Sequence, residues 1–216
     1  MSSKLDDQNK AFDNIIESRR TIRRFRPEIP PRAMVDDILR AGLLAPFAQI
    51  SITREDFRRF VVIPRESPAT EKAALMIKRR TARVLEELEG RVGLDPRLRA
   101  KAERYMGVLR LATQQGPPNL GKAAYYIVVG EQKGIPEIAE LSLAHCLENM
   151  WLKATVLGLG FQLLSVTEHM AEDEDFCELL GIEFGEFALD GCLVGYPEGA
   201  PPPPMRPSLT DVTTWL

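Results

Sequence analysis

The sequence predicts an α+β fold in which a central sheet is flanked by helices. Four short apolar stretches are rich in β-branched and aromatic residues, as buried strands are. They cover residues 60–63, 125–129, 161–166 and 187–194. Segments with apolar residues at helical spacing lie between them. A chain of 216 residues fits one domain, or one subunit of an intertwined dimer, better than two independent domains. We therefore expect a single domain over 1–216.

Composition and charge narrow the class of protein. Hydrophobic residues make up 44% of the chain and charged residues 27%, and the net charge is −3. Bulk charge thus gives no reason to expect a nucleic-acid or membrane-surface partner. No apolar run reaches the ~18 residues that a membrane helix needs. The N-terminus, MSSKLDDQNK, lacks the apolar core of a secretory signal. These features predict a cytoplasmic globular protein without a nucleic-acid or membrane partner.

Few side chains are suited to catalysis or to metal binding. Cys146, Cys177 and Cys192 form no CxxC pair and lie in apolar stretches, so we expect buried, unreactive thiols. An iron–sulfur cluster or a structural zinc would need more ligands in closer groups. His145 lies in a helical apolar pattern and is predicted to be a core residue. We therefore expect the chemistry to come mostly from a bound cofactor, with no metal.

The region 68–114 differs from its flanks, because it is rich in Lys, Arg and Glu. Gly90, Gly93 and Pro96 are predicted to divide it into two helices. A solvated helical surface accounts for most of its charge. Its position between two core strands also favours a helical insert or lid over 68–116, close to the site.

Two further segments indicate how the chain associates. Residues 136–157 are predicted to form the longest helix, which is apolar over more than one face. Such a helix lies in a large core or in a subunit interface. The segment 197–216 contains EGAPPPPMRP, residues 198–207, and is predicted to be an extended tail. It carries a lone Arg206 and ends in Trp215-Leu216, which indicates docking on another surface.

Three motifs could bind a ligand. SRRTIRRF, residues 18–25, has four arginines at a junction between helix and strand, and the planar guanidinium suits phosphate. VLGLGFQLLSV, residues 156–166, has glycines that could let backbone approach a ligand closely. It does not match GxGxxG, so a Rossmann site is not predicted. VGYPEGAPPPPMRP, residues 194–207, holds Arg206 on a stiff segment, where an anion would be its natural partner.

The order and spacing of these motifs resemble the FMN-dependent nitroreductase superfamily. The resemblance runs through SRRTIRRFRPEIP, ILRAGLLAP, YYIVVG, ENMWLKATVLGLGFQLLS and LVGYPEGAPPPPMRP. It spans nearly the whole chain except the 68–114 insert. It implies a nitroreductase-like central sheet, mixed or antiparallel, in an intertwined homodimer. It also implies an FMN-dependent oxidoreductase that passes two electrons from NAD(P)H to a small organic acceptor such as a nitroaromatic or a quinone.

The resemblance also implies which residues bind FMN. The phosphate and ribityl chain would be met by Arg19, Arg20 and Thr21, with Arg23 as a further basic contact and Arg206 reaching the phosphate from the tail. Backbone near the flavin ring would come from Leu163, Leu164 and Ser165, one N–H of which would meet flavin N5. Pro46, Phe47 and Ala48 would contact the flavin bound to the partner subunit. No protein acid or base is required.

The chain departs from the family pattern after Ala45-Pro46. Phe47 stands where a small polar residue is usual, and the usual asparagine and Gln-Pro-Trp are missing. Three alternatives therefore stay open. The chain could bind flavin for storage or sensing without nicotinamide turnover. It could be another flavin enzyme of the superfamily, such as a dehydrogenase, a reductive dehalogenase or a flavin-fragmenting enzyme. It could also be a relative that has lost FMN.

Overall fold

Four strands form one antiparallel sheet with helices on both faces. The computed structural model describes residues 2–50, 57–199 and 201–216. The strands are β1 (Arg58–Pro64), β2 (Tyr125–Gln132), β3 (Gly160–Leu163) and β4 (Phe187–Gly195). The α-helices are α1 (Ser2–Ser18), α2 (Arg32–Leu43), α3 (Pro68–Leu94), α4 (Pro96–Gln115), α5 (Ala139–Val156), α6 (Glu174–Leu180) and α7 (Leu209–Val212), and a 3₁₀ helix covers Ser165–Glu172.

The strand order is β1-β2-β4-β3, and every pair of neighbours is antiparallel. The predicted α+β class and central sheet are confirmed. At one end of the sheet Arg58 pairs with Glu131; at the other Gly160 pairs with Gly195. The predicted strand 161–166 is wrong at its end, because the chain turns into the 3₁₀ helix after Leu163.

The two faces of the sheet bury different helices. One face packs on α2 and α5, where the side chains of Ile38, Cys146 and Met150 are fully buried. The other face packs on α6, the 3₁₀ helix and the first half of α3, where Ala73 and Ile77 are fully buried. Successive side chains along each strand point to opposite faces of the sheet, so each strand contributes residues to the cores on both faces.

Helix α5 is the central helix but not the longest. It has 18 residues, whereas α3 has 27, so the prediction for 136–157 was wrong on length. Its burial in a large core is confirmed, since Leu143, Leu147 and Ala154 are nearly or fully buried. Its surface includes the exposed His145. The prediction of a core histidine was therefore wrong.

Helices α3 and α4 form the predicted helical pair, and the chain breaks at one of the three predicted positions, Pro96, where α4 begins. Gly90 and Gly93 lie inside α3. The side chain of Asp95 accepts a hydrogen bond from the Arg97 N–H at 2.9 Å and caps α4. The tip of the pair has its own small core. That core consists of Val92, Ala102 and Met106, with Leu85, Leu88 and Leu98 packed against it.

The three cysteines are buried, as predicted. Burial raises the pKa of the Cys146 thiol to about 12, so that thiol stays protonated and unreactive at neutral pH. Among the described residues, no helix is long and apolar enough to cross a membrane.

Candidate functional site

The arginine motif lies along the edge strand β3 in an extended conformation, as predicted. Helix α1 ends at Ser18. The Ile22 N–H then donates to the Phe161 carbonyl at 3.0 Å, and the Arg26 N–H donates to the Tyr196 carbonyl at 2.9 Å. These bonds seat the segment between β3 and the start of the C-terminal tail.

A glycine of the LGLG motif makes this approach possible. A Cβ at Gly160 would lie 2.7 Å from Cγ2 of Ile22, closer than two carbon atoms can pack. The sequence predicted that a ligand could approach the backbone of this motif closely. In the structure, Ile22 of the arginine segment makes a close approach to Gly160. Gly158 adopts a φ of 69°, a left-handed conformation that lets the chain leave α5 and enter β3.

Arginines from both ends of the chain line one cavity of about 450 Å³. They are Arg19 and Arg20 from the motif and Arg206 from the tail. A neighbouring cavity of about 280 Å³ is lined by Thr21 and Arg23 together with tail residues. The five residues predicted to contact the phosphate and ribityl chain thus line two cavities between the arginine segment and the tail, which together we call the arginine groove.

Arg19 is held on α5. Its Nε lies 3.1 Å from a carboxylate oxygen of Glu148, and its guanidinium stands over the ring of Trp151. The Trp151 ring stacks on Phe161 and donates its Nε1–H to the Arg20 carbonyl at 3.1 Å. Nε of Arg19 is buried and makes no aligned hydrogen bond within the described residues. This cation is therefore positioned but not fully satisfied.

Arg20, Arg23 and Arg206 differ in the contacts that their guanidinium groups already make. Arg20 donates to the carbonyls of Glu17 and Arg19, so it caps the carboxyl end of α1, where cations are favoured. Arg23 and Arg206 are exposed. Arg23 and Arg206 are thus more available to an incoming anion than Arg20 is.

The segment from Leu163 to Ser165 follows the arginine motif along the same edge. The Leu164 side chain is buried, and its N–H donates to the Gly191 carbonyl at 2.8 Å. Leu164 therefore has no N–H to offer a ligand. Ser165 is exposed and begins the 3₁₀ helix, where the first N–H groups have no partner in the helix.

The segment from Pro46 to Ala48 lies elsewhere. The Ala48 N–H donates to Ser142 Oγ at 2.8 Å, and the Phe47 ring lies 4.8 Å from that of Phe57. This places the segment beside the Arg58 end of β1. The arginine motif is at the other end of the sheet, roughly 20 Å away along the strands, which rise about 3.3 Å per residue. One copy of the chain therefore does not bring these two groups together.

The sequence prediction missed the buried pair Arg58 and Glu131 and the partly buried Asp190. The side chains of Arg58 and Glu131 are fully buried and form an ion pair at 2.7 Å. Burial raises the pKa of Glu131 above its usual range, against the opposing effect of Arg58. Burial also raises the pKa of Asp190, in β4, to about 6. A sequence signal was present for Asp190, which interrupts an otherwise apolar strand, but not for Glu131, which lies near the end of β2.

An antiparallel sheet between helical layers, with an arginine-lined groove at its edge, defines an α+β protein with a candidate anion-binding site. The sequence profile of the Nitroreductase family matches residues 16–196. The chain belongs to this family.

Solved structures share this fold over nearly their whole length. A nitroreductase with bound FMN from Bacteroides fragilis is 19% identical, with a TM-score of 0.68 over 95% of this chain and 98% of that chain. A BluB-like flavoprotein from Clostridium difficile is 22% identical, with a TM-score of 0.68 over 94% and 98%. Iodotyrosine deiodinase bound to FMN and 3-iodo-L-tyrosine is 20% identical, with a TM-score of 0.66 over 94% and 100%. No curated protein sequence matches significantly.

Proposed function

We propose that the protein is an FMN-dependent oxidoreductase that passes two electrons from NAD(P)H to a small organic acceptor. The observation that carries the proposal is the cavity that Arg19, Arg20 and Arg206 line together. Two of these residues follow α1 and the third lies in the C-terminal tail. Family membership and the FMN bound in similar structures support the interpretation of this cavity as the binding site for the FMN phosphate.

The residues of the groove fit a phosphate monoester. Arg19, Arg20 and Arg206 line the larger cavity and Arg23 the smaller one, and the planar fork of arginine can pair with two phosphate oxygens at once. The carboxylates of Glu148 and Glu17 reduce the positive charge only in part.

The ring of the flavin would lie along the segment from Leu163 to Ser165. The Ser165 N–H is our candidate donor to flavin N5, because the Leu164 N–H is already bonded to Gly191. The exposed Leu163 side chain supplies an apolar contact and keeps water from one side of the ring. When bound, FMN supplies the two-electron chemistry, and the chain holds and orients it.

A homodimer would complete the site. Pro46, Phe47 and Ala48 cannot reach the arginine groove of their own chain, so a second copy is needed if they contact flavin. Large apolar residues are exposed in the regions that would meet that copy: Leu5, Phe12 and Ile16 on α1, and Met205, Leu209 and Trp215 in the tail. Obligate interfaces of this kind bury about 2,000 Å² or more in total.

Anaerobic titration of the purified protein with NADH and then NADPH tests the function. We expect bound flavin and bleaching of its visible absorption by at least one of the two nicotinamides. Bound flavin that neither bleaches would favour storage or sensing, and a protein that binds no added FMN would overturn the proposal. Analytical ultracentrifugation at micromolar concentration tests the dimer; a monomer with flavin bound would contradict it.

A further inference from the structure

We propose that Arg58 is the positioning residue for the loop formed by residues 45–48, and that it thereby controls flavin binding in the partner subunit. This inference rests on the proposed function, which assigns Pro46, Phe47 and Ala48 to the flavin of a second copy. Arg58 itself touches neither flavin nor substrate in this arrangement. It acts through the backbone of the loop.

The guanidinium of Arg58 joins three parts of the fold. Its Nε donates to Glu131 Oε2 at 2.7 Å. Its Nη1 donates to the Gly42 carbonyl at 2.7 Å and to the Ala45 carbonyl at 3.3 Å. Its Nη2 lies 3.5 Å from the Pro46 carbonyl. One side chain thus connects β2 to the end of α2 and to the loop that follows.

These carbonyl groups take donors from beyond the helix: the Gly42 carbonyl accepts from the Ala45 N–H at 3.1 Å as well as from Arg58. Helix α2 ends at Leu43, and the last carbonyls of an α-helix have no partner within it. Gly42 also lies against Met150 of α5, with no room for a Cβ, so this end of the helix is held between α5 and Arg58. An arginine suits the place, because its planar group offers five donors in fixed directions.

The role of Glu131 is to hold the guanidinium in this orientation. Both side chains are fully buried, and a buried charge without its partner is strongly unfavourable. Oε1 of Glu131 has no partner within the described residues. Among the described residues, the hydrogen bond from Arg58 is therefore the one aligned contact of the Glu131 carboxylate. It fixes the guanidinium so that the remaining N–H groups of Arg58 point toward the loop.

Other contacts hold the loop at its far end. The Gln49 side chain donates to the Gln132 carbonyl at 3.0 Å and accepts from the Gly134 N–H at 2.8 Å. These contacts lie beyond the residues assigned to flavin. Gln49→Ala is thus a matched control, since it removes an anchor of the same loop while leaving the Arg58 contacts in place.

The test compares a double variant, R58M/E131L, with the conservative variant Arg58→Lys. The double variant removes both buried charges together, which proteins often tolerate, and it removes the donors to the loop. Arg58→Lys keeps the charge beside Glu131 but loses the fork. We expect both variants to fold. We expect FMN to bind about 10- to 100-fold more weakly in the double variant, with partial recovery in Arg58→Lys.

A second measurement uses the flavin-free protein. Hydrogen exchange of the backbone amides of residues 44, 45, 47 and 48 should be about tenfold faster or more in R58M/E131L. Unchanged exchange with unchanged FMN affinity would overturn the proposal. If the double variant does not fold, Arg58→Lys decides by the same two measurements. A wild-type protein that binds no FMN would end the proposed function, while the exchange data would still test whether Arg58 holds the loop.

Mixed dimers test the action across subunits. One tagged subunit carries R58M/E131L and the other carries Arg206→Ala. In the mixed dimer, one site combines the unaltered arginine groove of the R58M/E131L subunit with the unaltered loop of the Arg206→Ala subunit. The other site combines the altered groove with the altered loop. We expect about half of the sites to bind FMN with wild-type affinity. If no site recovers, Arg58 does not act on the partner's flavin and the proposal fails.

Discussion

The guanidinium of Arg19 stands over the ring of Trp151, 4.3 Å from its centroid. Trp151 belongs to the central helix α5, and its ring stacks on Phe161 of the edge strand. The position of Arg19 is therefore set by the core of the protein and not by a flexible surface. Glu148, one turn earlier on α5, is the carboxylate that an anion at this place would have to displace or tolerate.

Replacing Glu148 with glutamine should strengthen FMN binding. The substitution removes a negative charge that competes with the phosphate for Arg19. Because Glu148 is about half exposed, the gain should be modest, about two- to fivefold at low salt, and smaller at high salt. Fluorescence titration of the apoprotein measures it, with Glu140→Gln on the same helix as control. Weaker binding in Glu148→Gln would mean that the ion pair with Arg19 builds the site.

Replacing Arg206 with alanine should weaken FMN binding by about 10- to 100-fold, because a hydrogen bond to a charged group contributes roughly 1.5–3 kcal/mol. Arg206→Lys should recover only part of the affinity, since lysine lacks the fork. Riboflavin, which has no phosphate, should bind poorly and be almost indifferent to the change.

Arg32→Ala, at an exposed arginine on α2, is the control for loss of surface charge. If Arg206→Ala weakens riboflavin and FMN equally, Arg206 acts through the fold or the ring, and its assignment to the phosphate is wrong.

Shortening the α3–α4 pair should leave FMN bound and change the preference among acceptors. The variant replaces residues 85–109 with a short Gly/Ser linker and removes the separate small core at the tip. Ala73 and Ile77, which belong to the main core, are retained. The measurement is kcat/KM for a nitroaromatic and for a quinone. An unchanged ratio would contradict a lid function, and deletion of all of 68–116 should instead prevent folding.

Asp190 should make stability depend on pH in the acidic range. Its pKa is raised by burial from 3.8 to about 6, so the ionised form is disfavoured in the folded state. Because the pKa of Asp190 is higher in the folded state than in the unfolded state, protonation of this carboxyl stabilises the fold. This contribution to the free energy of unfolding is complete below about pH 4 and is lost as the pH rises through about 6. Asp190→Asn, which can still accept from the Gly191 N–H, should be more stable than wild type at pH 7 by on the order of 2 kcal/mol.

Urea unfolding at pH 4 and pH 7 checks this prediction, with Asp211→Asn in the exposed α7 as control. The difference between Asp190→Asn and wild type should be small at pH 4 and appear by pH 7. A difference that is equal at both pH values would show that the amide acts by packing or hydrogen bonding, and not through the charge of Asp190.

Local chemistry let the sequence predict most of the fold. Runs such as FVVI and YYIVV have the β-branched composition of strands, and the Asp95-Pro96 junction could only interrupt a helix. The motif SRRTIRRF predicts an anion site because the planar guanidinium of arginine suits phosphate, and this assignment stays a prediction. The family resemblance placed these pieces in order, and the profile match over 16–196 bears that out.

Only the tertiary structure decided which of these residues meet. Arg19 and Arg206 are separated by nearly the whole chain, and their shared cavity depends on the tail returning along the arginine segment to the end of α1. Leu164 carries the right backbone group for a ligand, but pairing with Gly191 uses it. Arg58 and Glu131 look like ordinary strand-end charges until the register of β1 and β2 places them side by side inside the core. The physical reason is common to all three cases: composition acts over a few residues, whereas burial and pairing depend on contacts between distant segments.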